Sequence, residues 1–191
     1  MPFITRKPKK KAEETVNLTL SELDPVIEER KEHAKRVKQE TQKVVPDYEL
    51  VPEMPMPAET YNGQNVIGVI DIPAIGLHMP VQSTLTQRNL STSACRLSGT
   101  VYNRDIIIGA HNYKTYFGYI KTLTAGDRME FTDMEGNVFE YKVAYTEILS
   151  PYQYYDFTNG DWDLTLFTCT VGARARVIVR FDLVEDTAPA E

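Results

Sequence analysis

Residues 164–181 read LTLFTCTVGARARVIVRF: two β-type runs joined across Val171-Gly172-Ala173, the first ending in a cysteine between two threonines and the second opening with arginines. Side chains alternate across a strand, so Arg174, Arg176, Ile178 and Arg180 share one face and Val177, Val179 and Phe181 the other. The apolar set is the core face. The arginine face is therefore expected to be exposed or to line a groove, with Cys169 reaching the rim at the strand end.

Working outward, the same period-2 pattern recurs in short runs bounded by turn residues. VIGVIDI (66–72), LHMPVQ (77–82), DIIIGAH (105–111), RMEFTD (128–133) and NVFEYKVAYTEIL (137–149) read as strands, joined by DLTLFTCT (163–170) and ARVIVRFDLV (175–184). Met134-Glu135-Gly136 is a hairpin turn with glycine where positive φ costs little. YFGYIKTL (116–123) reads as a short helix. About seven short strands with one or two brief helices predict a mostly antiparallel barrel or sandwich.

A boundary lies ahead of these strands. All ten glycines fall from Gly63 onward, and only Phe3 and Tyr48 of the aromatic residues precede position 60. Asp24 as N-cap and Pro25 at the first helical position predict a helix over about 25–43. Its thin apolar stripe (Val26, Ile27, Ala34, Val37) predicts weak packing or a spacer role. Pro46, Pro52, Pro55 and Pro57 make 45–59 an extended linker that excludes a helix. The expected division is 1–60 for basic tail, helix and linker, and 61–191 for the β domain.

The net charge of −6 gives no footprint for nucleic acid. The cluster Arg6, Lys7, Lys9, Lys10 and Lys11 is a solvated tail or a juxtamembrane flank. The sequence has no run of ~18 apolar residues to span a bilayer.

Thiol chemistry needs a thiolate, a proton-transfer group and an oxyanion donor. The candidates are Cys95 and Cys169, and His33, His78 and His111. Cysteines are usually buried small hydrophobes, and these two could pair in a disulfide. Cys95 lies in STSACRLSGT, which has no strong strand pattern. His78 alternates into an apolar strand and reads as packing or edge, and His33 in the charged helix as solvated. His111 ends the strand IIIGA. A cysteine ending one strand, an arginine on the next and a histidine ending an earlier one are more specific together than singly.

These residues resemble the sortase family of Gram-positive surface transpeptidases. Thr165-Leu166-Phe167-Thr168-Cys169 followed by Arg176 is similar to the family's Thr-Leu-x-Thr-Cys signature with its arginine on the next strand. His111 in IIIGAHNY matches the family histidine, and residues 66–82 resemble the opening strands of its barrel. The likeness runs over about 61–185 and is nearest to class B or a class B-like clostridial-type branch. Asp24-Pro25-Val26 faintly resembles the lid of pilin-assembling class C members, but it lies some 40 residues before the barrel and is read as a helix cap.

The resemblance implies a closed sortase-type β-barrel of about seven to eight strands. It implies that Cys169 attacks a Leu-Pro-x-Thr-Gly-like sorting signal, that His111 is the acid and base, and that Arg176 serves the oxyanion or substrate backbone, with Arg174 its rival. Phe167, Thr168, Asn112 and Tyr154 are the expected substrate contacts, the tyrosines of 150–163 forming an apolar wall. Asp156, Asp161 and Asp163 fit no metal spacing, and neither metal nor cofactor is expected. The implied partners are surface proteins or pilins bearing a C-terminal sorting signal, and a peptidoglycan precursor or pilin lysine as amine. The implied location is the outer face of the cell membrane or the wall, the family's N-terminal anchor being missing from this chain. A cysteine hydrolase with the same site is one alternative. A non-catalytic surface β-domain on an N-terminal stalk is the other, and it predicts an unreactive or disulfide-bonded Cys169.

Overall fold

The structure is a computed structural model that describes residues 10–40 and 45–184. Nine strands are formed among the described residues: β1 (Glu59–Tyr61), β2 (Gln64–Ile72), β3 (Leu77–Gln82), β4 (Ala94–Ser98), β5 (Ile106–Gly109), β6 (Arg128–Asp133), β7 (Val138–Leu149), β8 (Leu164–Cys169) and β9 (Arg176–Leu183). Their order is β1-β2-β3-β4-β5-β8-β9-β7-β6, and β6 pairs back onto β2. Eight strands thus close into the barrel expected from the sequence, with β1 as an edge ribbon. The β3–β4 and β5–β8 pairs are parallel and the rest antiparallel. Closure buries one face of every strand around Ile67, Met79, Ile108, Phe117, Phe131, Tyr141, Leu166, Val179 and Phe181.

β1 and β4 are the two strands that the alternation rule missed. In β4, Ala94 and Cys95 are successive residues on opposite faces and both are buried, so the start of the strand shows no polar period to reveal it.

The N-terminal helix departs most from expectation. α1 spans Lys10–Glu40 and carries Pro25 in its interior. Asp24-Pro25-Val26 is therefore not the helix cap expected from the sequence, and the helix begins fifteen residues earlier than its apparent start signal. Pro25 is exposed, so its ring faces water while the opposite stripe docks. Arg6, Lys7 and Lys9 of the basic cluster lie outside the described residues. So do residues 41–43 of the expected helix.

α1 is packed on the barrel. Ala12, Val16, Thr19, Leu23 and Ile27 form a buried stripe at helical spacing. Leu23 and Ile27 meet Val66, Val69 and Met134 in a cluster of their own. The Arg30 guanidinium donates to Glu59 Oε1 at 2.7 Å and to the Met134 carbonyl. Gly136 lies so close to the Arg30 backbone that any Cβ would collide with it, which is why the β6–β7 turn carries glycine there. His33 is exposed, as expected.

The proline-rich stretch also holds one helical turn, α2 (Asp47–Leu50), where an extended chain was expected. Pro46 caps it and Pro52 follows it, so the prolines bound the turn instead of interrupting it. Two further short helices are α3 (Gln87–Leu90) and α4 (Tyr154–Thr158). The segment expected as a helix at 116–123 is a 3-10 turn, Phe117–Thr122.

Candidate active site

β5 and β8 run parallel, with Gly109 registered on Phe167. The pairing carries on past the strand end, where Ala110 N donates to Phe167 O at 3.2 Å and Thr168 Oγ1 donates to Ala110 O at 2.8 Å. Parallel neighbours leave the sheet at the same end. His111, two residues beyond Gly109, and Cys169, two beyond Phe167, therefore emerge side by side at one rim of the barrel.

Arg176 is brought to that rim by a tight hairpin. β8 and β9 are antiparallel, with Cys169 registered opposite Arg176, and directly opposed residues project to one face. The turn between them is closed by Thr170 and Ala175. Thr170 N donates to Ala175 O at 2.8 Å and Ala175 N donates to Thr170 Oγ1 at 3.0 Å. Gly172 (φ +82°) and Ala173 (φ +55°) take the left-handed conformations that a short turn requires. Arg174 sits exposed at the turn tip, so register separates it from Arg176.

The thiols differ sharply. Both are free, Cys169 exposed and Cys95 buried, and burial pushes the Cys95 thiol up to about 12. Cys95 Sγ lies 3.7 Å from the Ser93 carbonyl. The disulfide expected under the non-catalytic reading is not formed.

His111 is half-buried, and its ring centroid lies 5.0 Å from that of Tyr113. The loop carrying it is held by Phe117 N donating to His111 O at 3.1 Å. Tyr113 in turn contacts Tyr116, whose hydroxyl donates to Ala12 O of α1 at 3.2 Å. The N-terminal part of α1 thus buttresses the loop that carries the histidine.

Two surfaces converge on Cys169. On the core-facing side, a cavity of about 380 Å³ is lined by Asn112, Thr146, Ile148, Thr168, Cys169 and Val177, among others. Of the expected substrate contacts, Asn112 and Thr168 are on it. Thr146 and Ile148 were missed by the sequence reading, although they are registered opposite Val179 and Val177 on the core-facing side of β9.

The outer face holds the remainder. Phe167 lies over Gly109, where a Cβ would strike its ring, and meets Phe157 of α4 edge-on at 4.8 Å between centroids. Ile107, Leu149, Phe157 and Ile178 form a buried cluster there, with Leu97 and Phe167 packed against it. Tyr154 is 64% exposed, its centroid 6.2 Å from that of Phe157.

The expectation of an open arginine face fails at Arg180 and Ile178. Both are buried, at 2% and 0% exposure, because segment 150–163 folds down over this face. Asp163 Oδ2 accepts from Leu183 N at 2.6 Å and Asp156 Oδ2 from Gln153 Nε2 at 3.1 Å, so two of the three loop aspartates have structural partners. Among the described residues no cluster of His, Cys, Asp and Glu could hold a metal ion.

The Sortase domain family profile matches residues 70–184, which include the cysteine, the histidine and the hairpin that carries Arg176. The chain belongs to the sortase family. Sortases are cysteine transpeptidases that work at the cell surface. This chain is 31% identical over 134 residues to a sortase A of Streptococcus agalactiae, the match covering 62% of this chain and 53% of that protein. It is 29% identical over 129 residues to a sortase A of Bacillus anthracis, covering 63% and 61%. The chain thus spans little more than half the length of these curated relatives.

The fold of a Clostridium perfringens sortase D5 transpeptidase superposes with TM-score 0.60 at 20% identity, covering 93% of this chain and all of that one. Sortase C1 of Streptococcus agalactiae gives 0.58 at 19% identity, with the same coverage. These relatives carry class A, C and D designations, and the class B placement expected from the sequence gains no support from them. No described helix of this sortase is long and apolar enough to cross a membrane.

Proposed function

We propose that this sortase cleaves a Leu-Pro-x-Thr-Gly-like sorting signal at the threonine carbonyl and passes the acyl group to an amine, with Cys169, His111 and Arg176 as the catalytic set. The observation that carries the reading is the register of Cys169 opposite Arg176 at the rim where the His111 strand ends. Cys169 is exposed at that rim and open to a substrate, which the buried Cys95 is not.

The Cys169 thiolate attacks the threonine carbonyl carbon, and the carbonyl electron pair moves to oxygen. Arg176 is permanently charged, so it serves that oxyanion or the substrate backbone and not proton transfer. The C–N bond breaks as the His111 imidazolium gives its proton to the leaving amine, leaving a thioester. An incoming amine then attacks the thioester, His111 takes its proton, and the C–S bond breaks to restore the thiolate. Phe167, Tyr154, Thr168 and Asn112 are the proposed substrate contacts. Surface proteins or pilins would supply the signal, and a peptidoglycan precursor or pilin lysine the amine, at the outer face of the membrane.

Intact-mass measurement after incubation with a panel of sorting-signal peptides tests this. A thioacyl adduct on Cys169, lost in Cys169→Ala and discharged by added amine, is the expected result. An adduct that added amine leaves to water alone would make the protein a hydrolase. No adduct with any peptide would overturn the catalytic assignment.

A further inference from the structure

Arg180 stands four residues after Arg176 on the same face of β9, yet it is almost wholly buried. Its Nε donates to Glu147 Oε1 at 3.0 Å, its Nη1 to Phe157 O and Thr165 Oγ1 at 3.0 Å each, and its Nη2 to Asp156 O at 2.7 Å. Four charge-assisted bonds in different directions from one planar group are what a guanidinium can supply and an ammonium cannot. A buried charge with this many partners is costly to assemble, and its partners show what it holds. Thr165 and Glu147 belong to β8 and β7. Asp156 and Phe157 belong to α4, so the arginine ties segment 150–163 to the sheet.

That tie leads to the reacting strands. Phe157, whose carbonyl Arg180 takes, lays its ring edge-on to Phe167, and Phe167 covers Gly109. Phe167 is two residues before Cys169 and Gly109 two before His111. Trp162 at the far end of the segment meets Tyr145 edge-on at 4.9 Å, so the segment is held both at α4 and at its far end.

We infer that Arg180 is a positioning residue that fixes α4 and its aromatic side chains as the wall of the acyl-donor site, so that donor recognition depends on it and acceptor recognition does not. The inference rests on the transpeptidase reading above. The asymmetry follows from placement. The wall meets the donor on the outer face of β8 with Phe167, whereas no residue of 150–163 lines the core-facing cavity bounded by Asn112, Thr146, Ile148, Thr168 and Val177, which on this inference takes the incoming amine.

Arg180→Lys keeps the charge opposite Glu147 but cannot span both carbonyls of α4, and Phe157→Ala removes the wall while leaving the arginine. Both are expected to raise the KM for a sorting-signal peptide by roughly tenfold or more, the equivalent of one or two charge-assisted hydrogen bonds. The rate at which added amine discharges the preformed Cys169 adduct should stay as in the unmodified protein. Amide hydrogen exchange across 150–163 should quicken in Arg180→Lys, and this readout needs no substrate. Unchanged exchange would overturn the positioning role outright. Faster exchange with an unaltered donor KM, or with equal losses toward donor and amine, would overturn its link to donor recognition. A protein that forms no adduct at all would instead sink the transpeptidase reading, with the exchange result still interpretable.

Discussion

Cys169 lies exposed at the end of β8, whereas Cys95 is shut between β3 and β5 with its thiol pushed up by loss of solvent. A thiolate is the reactive form, so iodoacetamide at neutral pH should label Cys169 alone, and Cys169→Ala should take up label only in denaturant. Peptide mapping of the labelled protein checks this. Cys95 also affects alkaline stability. Its folded value of about 12 exceeds the ordinary ~8.5 of an unfolded thiol. Between those limits the unfolded chain binds fewer protons, so this contribution is complete below ~8.5 and fades as pH rises toward about 12. Cys95→Ala should therefore lose less stability than the unmodified protein between about pH 9 and about pH 11, as urea midpoints would show. Half-buried Tyr48, raised to about 12 by desolvation, adds to the slope that remains.

At the scale of elements, α1 is part of the folded domain. Leu23 is fully buried between the helix and Val66, Val69 and Met134. Leu23→Ala should lower the unfolding free energy by about 2–5 kcal/mol, read from chemical denaturation, whereas a loosely tethered spacer would show almost no change. The His78 imidazole adds a polar clasp beside this contact, with Nδ1 3.0 Å from Asp71 Oδ2 and Nε2 3.1 Å from Asp24 Oδ1. His78 was expected as packing or edge, and its role as a bridge to the helix appears only once α1 is docked. The helix start was illegible because Thr19 occupies a buried position in the stripe, satisfied by Gln64 Nε2, while Asp24-Pro25 mimics an N-terminus.

For the whole molecule, closure of β2 on β6 and the two parallel pairs demand contacts between residues far apart in sequence. Loop-closure entropy must be met before these contacts form, so folding is expected on the scale of milliseconds to seconds. Stopped-flow fluorescence of Trp162, the single tryptophan, reads this directly. A microsecond phase carrying the full amplitude would contradict it.

The β-strands flanking the site, the cysteine, the strand-end histidine and the arginine after the cysteine are legible in the sequence. Period-2 alternation and turn residues are local properties, and the Thr-Leu-x-Thr-Cys pattern is compact. What covers a face is not local. Alternation placed Arg176 and Arg180 on one side of β9, but only the return of segment 150–163 over β8 left the first at the rim and buried the second. The same limit hid β4, whose Ala94 and Cys95 are buried on opposite faces, and the docking of α1. Burial depends on which distant segment comes to lie on top, and that is decided when the barrel closes.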